Sequence, residues 1–471
     1  MPAPTDTSLP DAPFRPLDLD LLAKYAVPGP RYTSYPPANK FHDNPAHLDL
    51  GGAIDDDNHP SAGDGPLSLY IHLPFCESRC WFCGCTTIIT RRRDWAYAYL
   101  DDLVREIELV TGRLSPRRKV TQLHLGGGTP TFFPADALAR LGDVLRSRFR
   151  FAGDAELSVE VDPRRVTKQQ IRVLRRWGVN RASLGIQDTN PAVQKAINRI
   201  QPQAQNRQVV DWLREEGITA INLDLIYGLP LQTEDSVGQS LSDALDLTPD
   251  RLSVFSYAHV PWIKPAQRIF VKRGQLPAPQ EKLAMFARLR GGLLRAGYVD
   301  VGLDHFASPE DELARARMKG GLHRNFQGYS TRSGASLYGF GISAISQTPD
   351  TYRQNHKSLA QYRAALAQGE LPVERGYRLS KEDKRRRRLI MAIMCDRKLD
   401  FADLSEELEV DIRVRYATEI ESLTPMVEDR LVSVNSDGLR VLPAGEPLLR
   451  VVAMAFDETF SASVPAHALT V

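Results

Sequence analysis

Seven short apolar runs spaced by helix-length segments constrain this chain more than any other feature: Leu67 to His72, Val120 to Leu125, Glu156 to Val161, Arg181 to Ile186, Ala220 to Ile226, Arg251 to Tyr257 and Tyr298 to Leu303. Strands separated by segments of that length are not joined as hairpins. They call for right-handed crossovers and a parallel sheet with helices packed on it. A complete (β/α)8 barrel needs more units than precede residue 310, so the pattern predicts an α/β fold of the partial (β/α) TIM-like barrel type. Ahead of it, residues 1–60 read as a loosely structured N-terminal arm, with Asp55 to Pro60 and Gly63 to Pro66 as a solvated loop. The barrel occupies residues 61–372. After Leu371-Pro372 the character changes, and residues 373–471 read as a small, mostly helical domain. Its expected elements are an Arg-rich helix over Lys381 to Lys398, helical patterns at Leu404 to Val410, Tyr416 to Leu423 and Leu449 to Phe460, and a hairpin around Asn435 to Gly438. The run Lys384 to Arg388 is by default a solvated helix face.

Composition narrows the function. A formal net charge of +2 over 471 residues gives no global field that would select nucleic acid or a membrane surface. Residues Met1 to Asp20 are rich in Pro and Asp and carry no apolar signal segment, and no stretch approaches the ~20 apolar residues of a membrane span. Five cysteines in a chain of this size need no disulfide framework, so free thiols in a reducing cytoplasm are expected.

Three of those cysteines, Cys76, Cys80 and Cys83, stand as C-x3-C-x2-C just after the first apolar run. Three thiolates at this spacing bind three irons of a cubane 4Fe-4S cluster and leave the fourth iron open to an outside ligand. A closed zinc site is the alternative, but it wants a second ligand pair, and no further C-x2-C or H-x3-H follows. Cys85 lies a single residue beyond Cys83, an awkward spacing for a fourth ligand to one cubane, and is read as unligated. Cys395, in the run Leu389 to Cys395, reads as a buried small hydrophobe.

Barrels of parallel strands gather their functional groups at the strands' C-terminal ends. On the runs above, Tyr70 and the cysteine loop fall at the end of the first, Gly126-Gly127-Gly128-Thr129 at the second, Glu160 and Asp162 at the third, Gln187 at the fourth, Asp224 at the fifth, and Tyr257-Ala258-His259 at the sixth. One site at that mouth is the economical reading. Taken alone, the glycine run is a tight turn, and Glu160 and Asp224 are either caps of the next helix or acceptors for ligand hydroxyls.

The cysteine triplet, with Phe82 inside it, resembles the radical S-adenosylmethionine (SAM) enzymes. Adding Arg31 to Pro36, Gly126 to Thr131, Tyr227 to Pro230, Asp304 to Ala307 and His323 to Tyr329 makes the chain similar to the oxygen-independent coproporphyrinogen III oxidase family of haem biosynthesis. That resemblance implies a 4Fe-4S cluster on Cys76, Cys80 and Cys83. It also implies SAM, two per protein, with Tyr70, Phe82, Gly127, Gly128, Thr129, Glu160, Gln187, Arg199, Asp224, Ala258 and Ile345 lining the SAM sites. The implied reaction uses a deoxyadenosyl radical to remove a β-hydrogen from each of two propionates of coproporphyrinogen III, and loss of carbon dioxide and one electron at each leaves the vinyl groups of protoporphyrinogen IX. Implied too are a cytoplasmic monomer and a low-potential donor such as flavodoxin, for which the Arg run is a candidate dock. The substrate is a tetracarboxylate, and Arg31, His305, His323 and Arg324 are candidates for holding it. The rival readings are a haem-trafficking relative with the same triplet and a radical SAM enzyme acting on another substrate. Two local departures from the family pattern are Thr86-Thr87 after Cys85 and the Asp-rich stretch near Asp55.

Overall fold

The computed structural model describes residues 17–43, 49–59 and 63–460. The beginning of the expected arm, up to residue 16, and Pro60 lie outside the described residues. Twelve strands form one sheet: β1 (Leu67–Leu73), β2 (Lys119–Gly127), β3 (Arg150–Val161), β4 (Arg181–Gln187), β5 (Ala220–Tyr227), β6 (Arg251–Ser256), β7 (Val299–Gly302), β8 (His305–Ala307), β9 (Ser336–Phe340), β10 (Ile345–Gln347), β11 (Thr351–Asn355) and β12 (Val373–Arg378). Their order is β12-β11-β10-β9-β1-β2-β3-β4-β5-β6-β8-β7. The stretch from β9 through β6 is parallel throughout. Antiparallel strands extend both ends, and the sheet does not close.

Six of the seven expected runs are parallel strands. The seventh differs: β7 pairs antiparallel with β8, because only the turn Leu303-Asp304 separates them and no crossover fits. A parallel strand that the sequence pattern did not reveal, β9, fills the place beside β1. It is short, contains Gly339 and returns directly into β10 without a helix. A side chain at Gly339 would fall 2.5 Å from the carbonyl oxygen of Ile345, so the hairpin closes only around glycine.

Strands β4 and β5 alternate strictly between buried and half-buried residues. The buried set, such as Leu184 and Leu223, packs under the helices. The half-buried set faces inward, where Ser183, Asn222 and Asp224 bond to one another and Asn222 accepts from Ser253 of β6, at 2.8–3.2 Å. At the strands' N-terminal ends Arg181, Arg251, Glu156 and Asp311 interlock: Arg181 to Glu156 and Arg251 to Asp311 are each 2.9 Å apart, with Glu312 3.2 Å from Arg251. Burial pushes the Glu156 carboxyl up, but the adjoining Arg251 and Arg181 charges outweigh it and hold it below the usual range.

Residues 17–43 and 49–59 are not a loose arm. Helices Leu19–Tyr25 and Leu50–Asp57 are capped by Asp18 and Asp49, and Leu22, Tyr32, Tyr35 and Ile54 are buried in the core. Asp57, expected in a solvated loop, ends the second helix and pairs at 2.8 Å with Arg118, itself buried. A like correction applies to the Arg run. The helix Lys381–Asp396 carries it, but Arg386 is buried among Glu382, Glu419 and Glu458 at 3.0–3.2 Å, Arg388 pairs with Glu407, and Arg387 donates to the Pro349 carbonyl. These guanidiniums latch the C-terminal region internally. Its hairpin forms as expected, Val432–Val434 against Gly438–Val441, and gains a third strand, Lys398–Asp400. Cys395 is buried and unpaired to any other thiol.

Arg251→Met should destabilise the protein by about 3–5 kcal/mol, because it strands buried carboxylates without their partner. The double variant Arg251→Met with Glu156→Met should recover much of that loss. Denaturant unfolding of the cofactor-free forms measures both.

Candidate functional site

The cysteine loop leaves β1 and is held at both ends. Phe75–Cys76 pairs in parallel with Ile88–Ile89, and the Thr90 amide donates to the Cys76 carbonyl at 2.9 Å. Neighbouring loops clamp the middle: Asn198 donates to the Arg79 carbonyl at 2.8 Å, the Trp81 amide to the Ile197 carbonyl at 3.0 Å, Gln267 to the Phe82 carbonyl at 3.0 Å and Lys264 to the Cys85 carbonyl at 2.9 Å. Cys76, Cys80 and Cys83 are all half-buried, and all line a cavity of about 570 Å3 at the strands' C-terminal ends.

Donors converge on the sulfurs. Arg164 and Arg199 each bring a guanidinium nitrogen to 3.6 Å from Cys80 Sγ, Thr129 Oγ1 lies 3.3 Å from Cys76 Sγ, and the Cys85 amide donates to Cys83 Sγ at 3.4 Å. Cationic and amide donors around thiols favour thiolates and tune what they bind. Among the described residues no three acidic, His or Cys side chains gather as a single-ion site. Thiolates belonging to three separate irons need no such convergence, so the donor set fits a cluster.

The glycine run continues β2 instead of turning. Gly127 has φ +116°, and a Cβ there would stand 2.7 Å from the His72 ring; one on Gly128 would stand 2.5 Å from the Pro74 carbonyl oxygen. Bare backbone is required to pack this strand end against the cysteine loop. The Gly127 amide donates to Glu160 Oε2 at 3.1 Å, and His124 Nε2 lies 3.3 Å from Glu160 Oε1. Burial raises the Glu160 carboxyl, but the His124 bond and charge and the Gly127 amide outweigh it, so it stays below its ordinary value. Asp162 behaves alike: burial is overcome by Arg199 and Arg164, and its carboxyl is held at about 2. Asp224 goes the other way. Burial and the Glu160 charge push it up to about 6 despite its bonds to Ser183 and Asn222. Gln187 sits in the left-handed region, φ +69°, with its buried Oε1 lacking any partner, and Arg199 Nε is likewise without one. Unpaired buried polar atoms facing a cavity are the mark of a ligand's place.

Of the residues singled out from sequence, Phe82, Gly127, Gly128, Thr129, Glu160, Gln187, Arg199 and Asp224 line this cavity with the three cysteines. Tyr70 lies one layer beneath, stacked on His124 and bonded at 3.0 Å to His72 Nδ1. Ala258 is tied to the cysteine loop through Gln267, which also reaches its carbonyl. Ile345 stands apart, on β10, beside the aromatic cluster of Phe41, Phe326 and Tyr352. Sequence reasoning missed Arg164, whose only signal was its place after Asp162 at a strand end, and Lys264 and Lys357 on the rim. Thr86, a departure from the family pattern, supports the site through its carbonyl, 2.9 Å from His72 Nε2.

The Radical SAM superfamily profile matches residues 70–244, and the HemN C-terminal domain profile matches residues 379–448. The chain is 42% identical over 442 residues to the oxygen-independent coproporphyrinogen III oxidase of Synechocystis sp., covering 93% of this chain and 94% of that one. It is 42% identical over 440 residues to the enzyme of that name from Escherichia coli, covering 93% and 95%. A solved structure of Escherichia coli coproporphyrinogen III oxidase (HemN), described as a radical SAM enzyme, superposes with a TM-score of 0.87 at 41% identity and covers 95% of this chain and 100% of that chain.

The elevated Asp224 carboxyl has a stability consequence. Its folded value, about 6, lies above that of the unfolded chain, so the folded protein binds this proton more tightly and loses stability as pH rises from about 4 to 6. Asp224→Asn should therefore stabilise the cofactor-free protein at neutral pH, by about 1–3 kcal/mol, and flatten its stability profile between those values. Unfolding of both forms across this pH range measures it.

Proposed function

This chain belongs to the oxygen-independent coproporphyrinogen III oxidases of the radical SAM superfamily, and from that premise we propose that it converts two propionates of coproporphyrinogen III to vinyl groups, giving protoporphyrinogen IX. The observation that carries this reading is the cavity in which three cysteines, two sulfur-directed guanidiniums, a bare glycine strand end and the half-buried carboxylates Glu160 and Asp224 meet. Full-length likeness to oxidases, C-terminal region included, supports oxidation over haem trafficking or another substrate. Cys76, Cys80 and Cys83 would hold the cluster, which with SAM on its open iron supplies a hydrogen-abstracting radical on reduction.

The chain's own residues set the geometry. Arg164 and Arg199 offset thiolate charge at Cys80, and Asp162 between them fixes both guanidiniums. Gly127 and Gly128 bring backbone to the cavity wall, where a methionine amine and carboxylate find amide and carbonyl partners. Glu160, held ionised, and Asp224 offer acceptors to ribose hydroxyls, and the unpaired Gln187 Oε1 accepts from a further ligand donor. A second SAM beside the first, a flavodoxin-like donor and a cytoplasmic monomer complete the proposal. Among the described residues no helix is long and apolar enough to cross a membrane. The donor would dock elsewhere than on the Arg run, whose charges are engaged within the chain.

Anaerobic incubation with SAM, a low-potential reductant and coproporphyrinogen III should yield protoporphyrin fluorescence after oxidation, with two SAM consumed per product. Absence of vinyl product under iron-replete conditions would sink the reading. Cys76→Ala, Cys80→Ala and Cys83→Ala should each lose the brown absorbance and the iron, whereas Cys85→Ser and Cys395→Ala should keep both. SAM affinity in Asp224→Asn should fall about ten- to a hundredfold with iron content unchanged.

A further inference from the structure

We propose that Arg31, Arg324 and His305 form a carboxylate pocket at the edge of the barrel mouth that anchors a non-reacting propionate of the porphyrinogen, an inference that rests on the coproporphyrinogen reading above. Three segments distant in sequence meet there. Arg31 follows the first helix, His305 opens β8, and Arg324 lies on the hairpin His323–Asn325 with Gly328–Ser330. The Arg31 guanidinium stands 5.5 Å from the ring centroid of Phe255 on β6 and pairs with Asp304. The His305 ring packs edge-on against Phe255 and Tyr329, with centroids 5.9 and 5.5 Å apart. Arg324 lies 4.7 Å over the Tyr329 ring and donates through Nε and Nη2 to the Arg31 carbonyl, each at 3.3 Å. Aromatic faces and a backbone carbonyl thus fix both guanidiniums and the imidazole in orientation.

Two groups are left over. Arg324 Nη1 and His305 Nδ1 are buried and lack any hydrogen-bond partner, and the Arg324 residue is only 6% exposed. Among the described residues Arg324 has no ion-pair partner, and Asp304 is taken by Arg31. A buried guanidinium without a counter-charge is strongly unfavourable, and a planar carboxylate is the ligand that suits a guanidinium's free edge. The place is right as well. Asp224 faces Ser253 across the β5–β6 ladder, and Phe255 is the next inward residue along β6, so the pocket borders the cavity from one strand over and one layer further out. A tetracarboxylate seated there by one propionate leaves another free to enter the cavity. His323, a sequence candidate for the same role, is one residue from Arg324 on a strand, hence on the hairpin's other face, near Asp396 and Arg388.

The test compares binding of coproporphyrinogen III with that of its tetramethyl ester to the anaerobic, iron-loaded enzyme. Wild type should prefer the free acid. Arg31→Gln and Arg324→Gln should each cut that preference about ten- to a hundredfold, with SAM affinity and iron content unchanged. Arg324→Lys, which keeps charge and bulk but not the fork, should cut it partway. Arg31, partly exposed, tolerates replacement if the Arg324 variants fold poorly. If wild type neither binds nor converts the free acid, the coproporphyrinogen reading fails; if it does both while Arg31→Gln and Arg324→Lys keep the full free-acid preference, the pocket is overturned.

Discussion

The structure depends on how an open sheet with a polar interior is closed at one end. A partial barrel exposes the inner face of its strands, and here that face carries Ser183, Asn222, Asp224 and Ser253 rather than an apolar filling. Such an interior persists because the interlocked Arg181, Arg251, Glu156 and Asp311 seal the strands' N-terminal ends. The charges there are paired with one another, so the floor is built of ion pairs rather than of apolar side chains. Above it the inward polar layer leads to the cavity at the end where the cysteine loop sits.

At that end the design principle is close approach. The loop carrying the three thiols is bonded through main-chain groups to the segments at 197–198 and 264–267, so its shape is set by its neighbours rather than by its own sequence. Gly127 and Gly128 let the end of β2 touch the loop's base, where any side chain would collide with His72 or Pro74. Arg164, Arg199 and Asp162 then act as one unit, two cations aimed at sulfur and one strongly acidic carboxyl keeping them in place. The contrast between Glu160 and Asp224 follows from partners: an imidazole and an amide for one, neutral side chains plus a nearby negative charge for the other.

The N-terminal and C-terminal segments are integral to this arrangement. Tyr32 and Tyr35 are buried in the core, Tyr32 donates to Asp457 at 2.9 Å, and Arg397 donates to the Asp300 and Val301 carbonyls of β7. The open edge of the barrel is therefore covered by chain from both termini, and residues such as Arg31 and Arg324 are carried to the mouth by segments that contribute nothing to the parallel sheet.

Sequence by itself determined the parallel strands β1 to β6, the edge at which Glu160, Gln187 and Asp224 gather, and the three-thiol chemistry. Apolar period and ligand spacing are local properties, and a parallel sheet forces strand ends together. It did not reveal β9, too short and glycine-rich for a pattern, nor the helices Leu19–Tyr25 and Leu50–Asp57, in a region whose acidic composition reads as solvated. Only the tertiary structure decided that Asp57 is buried, because its partner Arg118 lies 61 residues away. It alone decided that the Arg run turns inward to Glu382, Glu419 and Glu458, and that Arg164 points at sulfur. A charge's role depends on which distant group desolvates and pairs with it, and that is fixed by the fold, not by its neighbours in the chain.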